Sequence, residues 1–524
     1  MSAFMTGERR RPRPFQTSAS ILALGLALGL SLSLSLAGCV STPRPTPDTR
    51  LPAAYEAPAG IVLPRASLDR WWTTFNDPLL TRLIETALEK APDARSAAAV
   101  LAEARAVRRG QIRQIYIPGT PLTGSAKKTH TEILDSSGAA GFTQAGDSEA
   151  YAANFDVSWE LDLFGRKRAA LGVVNNDLAA ARFAYEGARA SLAANVAQSY
   201  FEARGLAVQL DDARQTERIN ASLRDFSVKK ANAGLIATSE SDRAESDLAG
   251  TQARVANLEA QLATSRRSLL ILVGRGIDSV GSLTVTAVLD AAPPVPATIP
   301  GDLLGRRPDI REAQARLASA SGNLKINELA LLPTFNLTPG VGLSKSVSPS
   351  FPFAGGGGGS GQTSTTSSAW SIGANVSIPV LNIPALLADI DAQNARTQQA
   401  AIAYERSVQT AYGEAENAMV QLAADQRRVT LLTAGEARAE RAYTANRKGY
   451  GLGLIDLTTT LQAEQSWRAA RTALTGARTD ALLHAVQTYK ALGGGWSPDA
   501  PASPQGSSTQ GSSIQVSPTQ VSPK

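Results

Sequence analysis

Few side chains in this 524-residue chain are equipped for chemistry, and their placement narrows what they can do. Cys39 is the only cysteine, so no intramolecular disulfide can form and its thiol is left for a single covalent modification. The two histidines, His130 and His484, lie far apart along the chain, and no Gly-rich phosphate loop, paired-carboxylate motif or metal-ligand spacing accompanies them. An enzyme or a metal centre therefore has little support, and no cofactor is expected beyond a covalent lipid. The acidic residues with a clear pattern are Asp156, Glu160 and Asp162. They alternate with Phe155, Val157, Trp159, Leu161 and Leu163. In an extended chain this puts the carboxylates on one face and the apolar groups on the other. Carboxylates in such a row are expected to set the electrostatics of a water-filled lumen.

The setting of Cys39 defines its chemistry. Arg9, Arg10, Arg11 and Arg13 precede an apolar stretch from Ile21 to Leu36, which ends at Leu36-Ala37-Gly38-Cys39. This is the layout of a secretion signal, and its end resembles the bacterial lipoprotein cleavage box. The resemblance implies that residues 1–38 are removed and that Cys39 becomes the mature N-terminus, carrying diacylglycerol on sulfur and an acyl chain on nitrogen. By the same resemblance, Val40, standing where an Asp would favour retention in the inner membrane, implies the outer membrane. Four of the arginines and Glu8 leave with the signal, so a formal charge of +6 becomes +3, spread along helices with Arg and Glu interleaved. Such faces are solvated, not a nucleic-acid footprint.

The elements that position these residues are long. Residues 39–70 form a Pro-rich tether, and structure is expected to begin near Trp71-Trp72. Helices are predicted from Asp77-Pro78 and over 92–114, a weak strand over Pro121–Thr129, and a polar loop over 131–149. The alternating strand over 151–163 then feeds an Ala-rich helix over 165–230, on the order of 100 Å long at ~1.5 Å per residue. A break at Ala233-Gly234-Leu235-Ile236 returns the chain as a helix over 239–273, whose Leu248, Val255, Leu262 and Leu269 recur every seven residues, with Leu258 and Leu272 on the same seam. Pro308-Asp309 opens a further helix with Ile310, Leu317, Leu324 and Leu331 at the same spacing, ended by Pro333.

This order is then repeated. TFNLTPGVGLS alternates, a Gly-rich loop follows, and Trp370 to Leu381 alternates again into a helix running to Lys448. Gly449 to Gly453 are expected to break it, a helix returns to Lys490, and the tail over 497–524 reads as disordered. Val157-Ser158 matches Val376-Ser377 at an offset of 219, as Gly234-Leu235-Ile236 matches Gly453-Leu454-Ile455. Between them Val208-Gln209-Leu210 and Tyr200 match Val420-Gln421-Leu422 and Tyr412 at 212, a slip of one heptad that preserves the phase of a coiled-coil seam. The division is thus 71–290 for the first repeat and 291–496 for the second.

Strands of about ten residues with Trp and Tyr near their ends fit a membrane barrel with an aqueous interior. The chain offers about four. Lipid satisfies no free sheet edge, so four strands cannot stand alone in a membrane. Two chains would give about eight, a barrel filled by its own side chains, whereas three give about twelve and leave a lumen. A homotrimer follows.

The runs FDVSWELDLFGRKR, IPGDLLGRRPDIREAQARL, LPTFNLTPGVG and ALGGGW resemble the TolC-type outer-membrane efflux proteins, most nearly their lipoprotein branch, the NodT/OprM type, over residues 70–496. The resemblance implies a mainly α fold with membrane β: a trimeric α/β barrel of twelve shared strands, a long coiled-coil helical barrel and a mixed equatorial region. It further implies an exit duct for an inner-membrane pump of the RND class, joined through a periplasmic adaptor. The adaptor would dock at the tips Gly234, Leu235, Ile236 and Gly453, Leu454, Ile455, and Arg447, Tyr450 and Asp456 are candidates for the closed periplasmic aperture. Where relatives carry an Asp in a VLDAQ-like segment, this chain has Leu461-Gln462-Ala463-Glu464, which puts a second acidic ring in doubt. Two alternatives stay open: a duct for type I protein secretion or metal export, and a structural coiled-coil lipoprotein spacer. For the anchor, Cys39→Ser is expected to abolish lipoprotein-type maturation and acylation; a mature mass altered only by the Ser substitution would refute lipidation.

Overall fold

The computed structural model describes residues 45–57, 68–132, 146–294, 298–349 and 362–497. The residues expected to form the signal sequence, Cys39, much of the expected tether, the Gly-rich loop and the tail lie outside the described residues.

A 3-10 turn over Trp71–Phe75 buries Trp71 and Trp72, and Asp77 then caps the next helix, its Oδ1 accepting from the amides of Leu79 and Leu80 at 2.9 and 3.1 Å. Helix α1 (Pro78–Lys90) and helix α2 (Pro92–Tyr116) lead to strand β1 (Leu122–Thr131). Strands β2 (Gly146–Asp156) and β3 (Trp159–Leu161) precede helix α3 (Arg166–Asn232), and helix α4 (Thr238–Leu272) returns beside it. The second half holds helices α5 (Asp302–Arg306) and α6 (Pro308–Leu329), strands β4 (Thr334–Pro349) and β5 (Gln362–Ser377), and helices α7 (Ile383–Gly451) and α8 (Leu457–Ala491). At 67 and 69 residues, α3 and α7 each span roughly 100 Å.

The helices pack as the heptads require. Leu248, Val255, Leu258, Leu262 and Leu269 are all buried, as are Ile310, Leu324 and Leu331, while Leu317 is half-buried. The two long helices bury the same heptad phase: Val196, Ala203 and Leu210 are buried, and so are Val408, Ala415 and Leu422, each 212 residues on. Where α1 crosses α3, the buried Arg204 joins Asp77 Oδ2 at 2.8 Å and Asp290 Oδ2 at 3.0 Å, and the Tyr200 hydroxyl donates to the same Asp77 oxygen at 2.7 Å. The GRRPD run is a second joint: Arg306 pairs with Asp69, and Arg307 with Asp309, Glu414 and the carbonyl of Ala491. Trp496 closes that joint by donating its indole N–H to Arg306 O at 2.8 Å.

The strands form one antiparallel sheet. β1 pairs with β2, β2 and β3 both pair with β4, and β4 pairs with β5. The single strand expected over 151–163 is interrupted at Val157-Ser158. Pro339 stands opposite Val157 and has no N–H to give, so one rung of the ladder is lost while the register continues unchanged from Asp156↔Gly340 to Trp159↔Leu337. Counted across the sheet there are four strand positions, with β1 and β5 as its two unpaired edges.

Several boundaries differ from the sequence reading, among them β4, which runs to Pro349, and β5, which ends at Ser377, short of Leu381. The expected loop over 131–149 is shorter, because β1 runs to Thr131 and β2 starts at Gly146. β5 begins at Gln362, eight residues before Trp370, since a Ser/Thr run pairs through its backbone without showing apolar alternation. Helix α7 continues through Gly449 to Gly451, because surrounding helical packing carries it past a residue of poor propensity.

The two faces of the sheet are opposite in character. Phe155, Val341 and Trp370 stand in one cross-strand row, with Tyr151, Trp159, Leu161, Leu343 and Ile372 on the same face. All are exposed, between 39% and 79%. The other face carries Asn154, Asp156, Glu160, Asn336, Thr338, Ser371 and Asn375. From Tyr151 to Leu161 the apolar band is roughly 25 Å tall, at ~3.3 Å per residue and a tilt of ~40°. Beyond it, in a rim outside the band, Lys128 pairs with Asp147 and Glu149. Phe155→Arg, mid-band, is expected to cost about 2–4 kcal/mol in vesicle-reconstituted protein, while Ser371→Arg on the opposite face costs far less. Denaturant midpoints of the two variants would check this, and equal losses would contradict the assignment of faces.

Candidate functional site

The polar face of the sheet meets the helices through the acids picked out in the sequence. Asp156 lies over Gly340 of β4, where an added Cβ would stand 2.6 Å from its Oδ1. Glu160 and Asp162 are placed differently from free lumen charges. Glu160 forms a two-bond pair with Arg166, the first residue of α3, with Nε to Oε1 at 3.0 Å. Asp162 accepts from the backbone amides of Lys167 and Arg168 at 3.1 and 3.3 Å, so its charge sits on the helix N-terminus. The pairing has a simple cause: the chain turns from strand to helix within four residues, and these two carboxylates are the groups near enough to meet the unsatisfied amides and the arginine. Of the three, Asp156 is the one not tied to α3, and it and Asp162 are both exposed. Arg166 was legible as part of the FGRKR run but not as the partner of Glu160.

At the other end, about 100 Å away along α3 and α7, both hairpins turn by the same device. Gly234 and Gly453 adopt left-handed φ of 69° and 76°, which glycine reaches without Cβ strain. The following amides reach back, Leu235 N to Lys230 O at 2.9 Å and Leu454 N to Gly449 O at 2.9 Å. Each turn is a Schellman cap, and each leaves a leucine standing out after its glycine, Leu235 at 71% and Leu454 at 78% exposed, with Leu452 at 76% beside the second. Ile236 and Ile455 are half-buried. The turns thus present a matched pair of apolar knobs.

The aperture candidates separate on inspection. Arg447 is exposed. Tyr450 is only 4% exposed and lies between the hairpins of its own chain. Its ring meets Phe226 edge-on at 5.4 Å and carries Lys230 Nζ at 4.4 Å, and its hydroxyl lies 3.4 Å from Ser227 Oγ. A freely inward-facing tyrosine was expected; packing against α3 takes it instead. Asp456 is the N-cap of α8, accepting from Thr459 N at 2.6 Å and Thr459 Oγ1 at 3.2 Å, and these bonds hold its carboxyl below the usual range. The equivalent residue of the first hairpin is Ala237, which makes no side-chain cap. Lys230 and Phe226 were not singled out in the sequence, where a Lys and a Phe at a helix end look like any solvated turn.

Among the described residues no helix is long and apolar enough to cross a membrane, and no group of three or more His, Cys, Asp or Glu could hold a metal ion. The sheet, apolar outward and polar inward, is the membrane element. A spacer made of coiled coils has no use for such a sheet, and that alternative falls.

A sheet of this polarity continued by two hairpins of ~100 Å defines an outer-membrane duct reaching into the periplasm. The chain belongs to the outer membrane efflux protein family, whose model matches residues 83–275 and 299–494, one block for each repeat. It is 27% identical to the probable efflux pump outer membrane protein TtgC of Pseudomonas putida over 428 residues, 81% of this chain and 85% of that one. It is also 27% identical to the pyoverdine export outer membrane protein OpmQ of Pseudomonas aeruginosa, over 88% of this chain and 95% of that one. Among solved structures, the outer-membrane channel OprN superposes with a TM-score of 0.70 at 28% identity, covering 87% of this chain and 97% of that one. The protein is accordingly an outer-membrane exit duct of an efflux pump, with the TolC-like fold.

Asp456→Ala is expected to destabilise the second tip through loss of the cap, and Ala237→Asp to stabilise the first. Hydrogen-exchange protection at the start of α8 and of α4 reads both.

Proposed function

We propose that three copies close one twelve-stranded barrel and that the duct conducts small molecules passively, gaining direction from an RND-type inner-membrane pump through a periplasmic adaptor. The observation that carries this reading is the sheet: four strand positions, an apolar outer face, and unpaired edges at β1 and β5. β5 of one copy pairs with β1 of the next, which satisfies every edge in lipid. The adaptor's place is at the two tips, Gly234-Leu235-Ile236 and Gly453-Leu454-Ile455, where the exposed leucines offer matching apolar contacts. Arg447 faces the aperture, with Tyr450 and Asp456 holding the tip that carries it. Cys39 bears the diacyl and N-acyl lipid that fixes the tether, residues 39–70, to the outer membrane. The chain does no chemistry of its own, which accords with relatives named as channels and exporters. No nucleic acid is a partner. OpmQ is named for pyoverdine export and TtgC for no cargo, and in a duct of this kind the pump selects the substrate.

Purified protein is expected to run as a trimer by native mass spectrometry from mild detergent and to give discrete conductance steps in a planar bilayer. A stable monomer would contradict the shared barrel, and the absence of any pore would contradict the duct.

A further inference from the structure

The inner face of the sheet is almost free of charge. Its strand positions hold Gly, Ala, Ser, Thr and Asn, with three exceptions: Lys127, Asp156 and Glu160. Glu160 is neutralised by Arg166 at the joint with α3. Asp156 and Lys127 are exposed, and among the described residues neither side chain has a hydrogen-bond or ion-pair partner. The remaining Lys, His, Asp and Glu of the strands (Lys128, His130, Asp147, Glu149 and Lys345) stand on the outward face.

The two inward charges lie at different heights. Asp156 pairs across the sheet with Gly340 of β4, near the helical end, and Gly340 pairs in turn with Ser371 of β5. A Cβ at Gly340 would stand 2.6 Å from Asp156 Oδ1 and 3.4 Å from Ser371 Oγ, so the carboxylate occupies the space over the glycine and lies against the wall. Lys127 of β1 stands opposite Ala150, six residues up β2 from Asp156. At ~3.3 Å per residue and a tilt of ~40°, the two rows are about 15 Å apart along the barrel axis. That exceeds the Debye length of about 8 Å at physiological salt, so each charge governs its own stretch of water. In the threefold ring proposed above each becomes three charges of one sign, acid toward the periplasm and base toward the outside.

We infer that Asp156 and Lys127 are the charge-selecting residues of the barrel, and that their order along its axis makes ions pass more readily when cations move outward than when they move inward. The acid row gathers cations from the periplasmic side, and the base row gathers anions from the outside. A drive that moves cations outward and anions inward feeds both ions into the water between the rows, and conductance rises. The reverse drive must bring cations in past the base row and anions out past the acid row, so the gap empties and conductance falls. The cargo class so favoured is a small cation leaving the cell. The inference rests on the trimeric duct, which turns the rows toward one lumen, and on no particular pump or adaptor.

Planar bilayers read this directly, with protein added to one chamber so that its long hairpins stay on that side. At ~0.1 M KCl the current with potassium moving from the hairpin side is expected to exceed the reverse current several-fold. The ratio should fall toward one at ~1 M, where the screening length shortens to about 3 Å. Asp156→Asn and Lys127→Gln should each lower the ratio. In a salt gradient they should shift the reversal potential in opposite directions, the first toward anion and the second toward cation selectivity. A pore with symmetric current, or one whose ratio neither variant alters, overturns the inference and leaves the duct standing. Silence of every form counts against the duct, and a second measurement then decides the charges without current. Ser371→Cys, beside Asp156, and Ala150→Cys, opposite Lys127, are labelled with cationic and anionic methanethiosulfonates of similar size. The cation-to-anion rate ratio should exceed that of a free thiol at the first site and fall below it at the second. Asp156→Asn and Lys127→Gln should return the respective ratios to the free-thiol value. Equal ratios at the two sites overturn the inference whatever the bilayer shows.

Discussion

A sheet in lipid cannot leave an edge unpaired, because hydrocarbon offers nothing to bond a free N–H or C=O. Every large feature of this protein is consistent with that constraint. The chain supplies four strand positions and two open edges, too few to close on themselves and well matched to a threefold ring. The apolar row through Phe155, Val341 and Trp370 would be a liability on a soluble sheet; facing lipid, it becomes the surface that holds the duct in place. The polar face then has no choice but to line water.

The second demand is mechanical. A membrane sheet must hand over to hairpins of ~100 Å without a flexible joint, or the tube would not be continuous. The joint is made of charge. Glu160 holds Arg166 while Asp162 caps the helix beginning there, so strand and helix are fixed within a few residues. At the far end the two repeats use one turn, a left-handed glycine followed by an exposed leucine. They part company in what comes next: Asp456 caps α8, whereas Ala237 leaves α4 uncapped. The duplicated hairpins are therefore alike in geometry and unequal in local stability, which gives the two tips different capacity to move.

Much of this was legible along the chain. The sevenfold spacing of Leu248, Val255, Leu262 and Leu269 identified a seam that is buried throughout, because helical periodicity and burial are the same fact seen twice. The strict alternation from Tyr151 to Leu163 identified the sheet face. The Ser/Thr start of β5 was not legible, since a polar strand paired through its backbone shows no alternation. The interruption opposite Pro339 was hidden as well, because it depends on which residue of another strand lies across from Val157.

The sequence by itself determined the repeat, the hairpin turns, the amphipathic strands and the strand count that demands an oligomer, because all of these follow from local periodicity and from what each residue type can do to its own backbone. Only the tertiary structure decided what individual charges do. Asp162 became a helix cap, Glu160 an ion-pair partner, Tyr450 an inter-hairpin wedge, and Glu464 a buried acid beside Arg468. A charge acts through whatever stands a few ångströms away, and along this chain the groups that face one another at the tips are some two hundred residues apart, as Arg243 and Thr458 are.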